Sequence, residues 1–128
     1  MGTWGEGNFD SDGAMDYVGE LTRQLAARIE EVLSDENSRS IDEEGEAVIV
    51  PSVEILSLLT ERCQAPPPKP STVADWRTRY LAVYDDEAPG FYPEPEFQAE
   101  RRAIIEATFA TLENQARDFW QDADEEDD

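Results

Sequence analysis

Four stretches of this chain repeat their apolar residues at intervals of three and four, and prolines or polar runs separate them. No other feature constrains the fold as strongly, because a 3.6-residue period lines one face of an α-helix. Ala14, Val18, Leu21, Leu25, Ile29 and Val32 predict a first helix over residues 12–33. Val53, Leu56, Leu59 and Cys63, with Ile55 and Leu58 widening the face, predict a second over 51–63. Val73, Trp76, Tyr80 and Val83 predict a third over 72–84, with Ser71 or Thr72 as its cap. Phe97, Ile104, Ile105, Phe109, Leu112, Ala116, Phe119 and Trp120 predict a long last helix over 95–121, the expected centre of packing.

Between the stripes, Val48-Ile49-Val50 is a β-branched run that suits either a short strand or a helix. Pro51 then either kinks a continuous helix or opens a new one at its first turn. A strand has no evident pairing partner elsewhere, so helix is the better reading. Residues 64–71 hold four prolines in the run Pro-Pro-Pro-Lys-Pro and read as a stiff connection in polyproline II form. Residues 85–94 read as an irregular acidic and aromatic loop. A chain of 128 residues supports one domain with one core. The expectation is therefore an all-α fold, a compact bundle of about four main helices over residues 1–121. An N-terminal Gly/Trp arm occupies 1–11. Residues 122–128, Asp-Ala-Asp-Glu-Glu-Asp-Asp, are expected to be a disordered acidic tail. Cys63 stands alone, so an internal disulfide is excluded, and its place on an apolar stripe suits a small core residue. The chain has no long apolar run and no internal repeat at a solenoid period.

The arm is the most individual stretch. Gly2, Gly5 and Gly7 allow tight backbone paths, and Trp4 and Phe9 are large enough to be expected in the core. Asp10 or Asp12 is placed to cap the first helix, and Asp16 adds favourable charge at its positive end. A phosphate-cradling loop is excluded because the stretch has no Lys. An EF-hand register puts Asn8, Asp10 and Asp12 at the first ligand positions and Gly13 at the turn. Its closing position then falls on Gly19, so the bidentate carboxylate is missing. No metal ligand set is assigned.

Met1-Gly-Thr-Trp-Gly, Gly7, Phe9-Asp10 and Asp12 resemble the start of a group of small bacterial proteins of unknown function. Those proteins open with MGTWG-x-G-x-F-D-N-D, and here Ser11 replaces the Asn. The resemblance implies a small, helical, cytoplasmic bacterial protein and carries over no catalytic residue. The motif itself (Gly2, Trp4, Gly5, Gly7, Phe9, Asp10, Asp12) is read as structural.

Charge decides which partners are plausible. Ten basic residues face 31 acidic ones, giving −21, with no His. Nucleic acid and anionic membrane surfaces would be repelled. A basic protein is the favoured partner. Two acidic clusters are the candidate contacts: Asp42, Glu43, Glu44 and Glu46, and then Asp85, Asp86 and Glu87 beside Phe91 and Tyr92. Without His, a Ser-His-Asp or Cys-His nucleophile cannot be built from this chain. No cofactor and no catalytic residue are assigned, and the protein is expected not to be an enzyme. The expected function is an inhibitor or immunity-type protein that masks a basic partner such as a toxin. Two alternatives stand beside it. One is a hydrolase using a carboxylate-held metal, for example on Asp12, Asp16 and Glu20. The other is a helical scaffold or housekeeping protein whose charge serves solubility only.

Overall fold

The computed structural model describes residues 3–127, with side chains described through residue 121. Gly2, Asp128 and the side chains of the acidic tail lie outside the described residues. The fold is the expected all-α bundle. Four helices follow one another: α1 (Asp12–Ser34), α2 (Val50–Cys63), α3 (Pro70–Phe91) and α4 (Pro95–Asp127). A π-helical turn, Gly45–Ile49, leads directly into α2. Val48-Ile49-Val50 is thus helical, and Pro51 sits in the first turn of α2, directly after the π-helical turn.

Cross-helix contacts fix the directions. Asp85 pairs with Arg102 and Arg77 with Glu113, so α3 and α4 are antiparallel. Glu46 pairs with Arg101, and Gln115 Nε2 donates to the Ser57 carbonyl, so α2 and α4 run side by side in the same sense. Glu30 of α1 meets both Trp76 and Arg79 of α3. The core is one cluster drawn from all four helices, including Ile29, Leu33, Leu56, Trp76, Tyr80, Ile105, Phe109 and Leu112. Burying one such side chain stabilises by roughly 1.5–3 kcal/mol relative to exposure. The indole of Trp76 is buried, and its Nε1 donates to Glu30 at 2.8 Å, which satisfies its one polar atom.

The structure corrects several local expectations. The third helix does not stop at residue 84 but continues to Phe91, through most of the expected loop. Ala88 is buried in the core, and the side chains of Tyr84, Asp85 and Glu87 are tied to other elements, so tertiary contacts carry the helix past Pro89 and Gly90. Trp4 is not in the core but 58% exposed, and Phe9 is half-buried outside the core cluster. The α1 cap is neither Asp10 nor Asp12 but Ser11, whose Oγ accepts from the Ala14 N–H at 3.1 Å. Asp12 instead lies in the first helical turn. Cys63 is half-buried.

Asp10 has a different task. Its carboxylate accepts from the Gly7 N–H at 2.9 Å, while its carbonyl accepts from Trp4 N–H at 3.0 Å. A bridge between Thr3 and Ser11 closes the arm into a small hairpin. A Cβ on Gly5 or Gly7 would stand 2.5 or 2.7 Å from the Asp10 carboxylate oxygen, so both glycines are needed for the arm to wrap this side chain.

Candidate functional site

The two acidic stretches, about 40 residues apart in sequence, meet in the fold. Glu87 on α3 accepts from Ser40 Oγ at 3.0 Å and from the Ile41 N–H at 2.9 Å. Tyr92, just beyond α3, donates from its hydroxyl to Glu46 Oε2 at 3.1 Å. These bonds bring the turn before α2 against the end of α3.

Their carboxylates divide into two groups. Four are occupied inside the protein. Glu44 pairs with Arg28 of α1. Glu46 is the centre of a part-buried cluster in which Arg101 grips it with two nitrogens, at 2.7 and 3.0 Å. Tyr92 and Tyr80 also donate to it, Tyr80 at 3.4 Å. Burial and the neighbouring Glu46 charge push the Tyr80 hydroxyl well above the usual tyrosine range and raise that of Tyr92, so both act there as donors. Asp85 is held by Arg102 through paired bonds of 2.8 and 3.0 Å. That bond holds the Asp85 carboxyl below the usual carboxylate range. Glu87 is the fourth. The remaining three, Asp42, Glu43 and Asp86, are exposed. Phe91, the last residue of α3, is 47% exposed, whereas Tyr92 is half-buried against Tyr84 and Phe97.

The pairing of the cations matters as much. Of the ten basic residues, Arg23, Arg28, Arg77, Arg79, Arg101, Arg102 and Arg117 lie in ion pairs with the protein's own carboxylates. Arg39 donates to the Leu33 carbonyl. Lys69 lies over the Trp120 ring, 5.5 Å from its centroid. Few cations are left to neutralise the outward-facing acids.

A second feature lies on α2 and α4, where an open groove of about 360 Å³ runs between them. Leu58 and Ile104 line it and are 47% and 57% exposed, with Glu54 and Glu61 at its edge. The same trough continues past Ile55 and Pro51 to Arg101, the partner of Glu46. The α4 stripe is therefore narrower than its sequence suggests. Ile105, Phe109, Leu112 and Ala116 are fully buried, but Phe97, Ile104 and Phe119 are about half-exposed. At 100° per residue, Ile104 lies about 100° around the helix from Ile105, and that offset is the signal in the sequence.

The arm, the acid-rich end and the helical body all fall within one family match, which spans residues 2–128 and carries the description "Domain of unknown function (DUF4259)". The chain belongs to this family. Family membership agrees with the uncharacterised group anticipated from the opening residues and assigns no activity to any side chain. No curated protein and no solved structure matches the chain. Among the described residues, no helix is long and apolar enough to cross a membrane, and no group of three Cys, Asp or Glu side chains is arranged to hold a metal ion.

Proposed function

We propose that this protein is a non-enzymatic acidic binding protein of the bacterial cytoplasm that occludes a basic protein partner, as an inhibitor or immunity-type protein acting on a toxin or another nucleic-acid-binding surface. One observation carries the reading: seven of the chain's nine arginines lie in ion pairs with its own carboxylates, so few cations are left to offset the acids that carry the net charge of −21. Asp42, Glu43 and Asp86 are exposed on two segments that the Glu87 bonds bring together, and with the exposed ring of Phe91 at the end of α3 they offer acidic and aromatic contacts of the kind that a basic protein surface accepts. The clustered carboxylates imitate the charge of a displaced nucleic acid, and the bulk of the bundle blocks access. Steering by such a field speeds encounter and weakens as salt screens it.

The test is affinity capture at low salt from a nuclease-treated lysate of the source organism, followed by reconstitution with the purified partner. The expected result is a basic protein held in fixed stoichiometry, released by salt, and unable to bind nucleic acid or act while complexed. A partner whose activity is unchanged in the complex, or retention that is indifferent to salt, overturns the reading.

A further inference from the structure

Leu58 and Ile104 each expose about half their surface on neighbouring helices, and Ile55 adds a third apolar side chain at 44% exposure. Together they form a contiguous apolar strip between α2 and α4 that none of the other helices covers. Contiguous exposed apolar patches mark interaction sites more often than isolated side chains do. The strip has the dimensions of a helix seat. Glu54 to Glu61 covers about two turns of α2, and Arg101 to Thr111 covers about 15 Å of α4.

Charge selects the occupant. Glu54 and Glu61 line the groove, and the one cation lining it among the described residues, Arg101, is already gripped by Glu46. A second copy of this chain would bring another −21 against those carboxylates. A helix with apolar residues on one face and lysine or arginine on its flanks matches both the strip and the carboxylates.

We propose that the groove between α2 and α4 seats a cationic amphipathic helix of the partner protein, an inference that rests on the binding function above. The apolar residues of that helix pack on Ile55, Leu58 and Ile104, and its flanking cations face Glu54 and Glu61. The trough runs up to the Glu46–Arg101 pair, so a helix lying in it ends near the acid-rich end of the bundle.

The probe is a fluorescein-labelled synthetic helix with leucines at i, i+3, i+4 and i+7 and lysines on its flanks. A scrambled peptide of the same composition and charge is the control. Fluorescence anisotropy at about 20 mM salt gives affinity, and amide chemical shifts map the contact. The expected result is a 1:1 complex whose shifts gather on α2 and α4. The scrambled peptide should bind at least about tenfold more weakly, as should the probe to Leu58→Ser or Ile104→Ser, since each loses the burial of an aliphatic side chain. Both positions are exposed, and circular dichroism checks that the variants stay folded. Equal binding of the two peptides, or unchanged affinity in both variants, overturns the inference. If the shifts instead gather at 42–46 and 86–92, the groove assignment falls while the binding function stands. Failure of both peptides to bind counts against both. A homodimer in sedimentation that Leu58→Ser dissolves assigns the groove to a second copy and overturns the partner helix.

Discussion

At the scale of single residues, two glycines with similar crowding have different consequences. A Cβ on Gly45 would stand 2.4 Å from the Arg39 carbonyl oxygen and 2.9 Å from that of Ser40, so the obstacle is backbone. Gly45 is buried, and its own N–H donates to the Ser40 carbonyl at 3.0 Å. Gly45→Ala therefore forces the turn before α2 apart, and overpacking of this kind costs about 1–3 kcal/mol. At Gly7 the obstacle is the Asp10 carboxylate on an exposed arm, which can swing away at the expense of one hydrogen bond. Thermal unfolding should show a clear loss of Tm for Gly45→Ala and little change for Gly7→Ala. In the latter, amide exchange of residues 4–10 should accelerate instead. A Gly7→Ala variant that loses as much Tm as Gly45→Ala would mean that the arm is integral to the core.

At the scale of elements, the sequence carried the helices but not how their surfaces are used. Apolar spacing located all four, with α1 placed to within a residue, because a periodic stripe and a core-facing helix are the same fact. The end of α3 was hidden because Pro89 and Gly90 are local stop signals, while the contacts that override them come from Ser40, Ile41, Gln98 and Arg102. The acidic runs were visible, but nothing local showed that Glu46 would find Arg101 or that Glu87 would hold the preceding turn. The Asp85–Arg102 pair joining α3 to α4 makes such a contact testable. The folded-state pKa of Asp85 is depressed, chiefly by the Arg102 hydrogen bond, from an ordinary value of 3.8. Its stabilising contribution is therefore complete above that value and is lost as pH falls through the lower, folded-state one. Both side chains are more than a third exposed, so solvent screening keeps the contribution below about 1 kcal/mol. Asp85→Asn should lower Tm by a few degrees at pH 7, and the two proteins should converge as pH falls below 3.8. A gap that persists undiminished in acid would show that Asp85 acts through packing rather than charge.

At the scale of the whole molecule, the field of the carboxylates and the internal ion pairs oppose each other. Salt weakens the pairs, which favours unfolding, and it also screens repulsion among the unpaired acids, which favours the folded state. Exposed pairs contribute about 0–1 kcal/mol each, and most of those here are exposed or half-exposed. Against them stands a net charge of −21 confined to a 128-residue domain, so relief of repulsion should dominate. Tm should rise as sodium chloride goes from about 20 mM to about 0.5 M, where the screening length falls to a few ångströms. Calorimetry measures this directly, and sodium chloride is preferred to sulfate because sulfate also strengthens apolar burial. Binding to a basic partner must respond in the opposite direction, since the same ions screen an attraction between the two proteins. The pair of measurements is therefore more discriminating than either alone: a fold stabilised by salt and a complex dissolved by it both follow from acids facing outward. A Tm that falls with salt would instead place the net electrostatic balance in the internal Arg–carboxylate pairs, and with it the role of most of the charge would be structural.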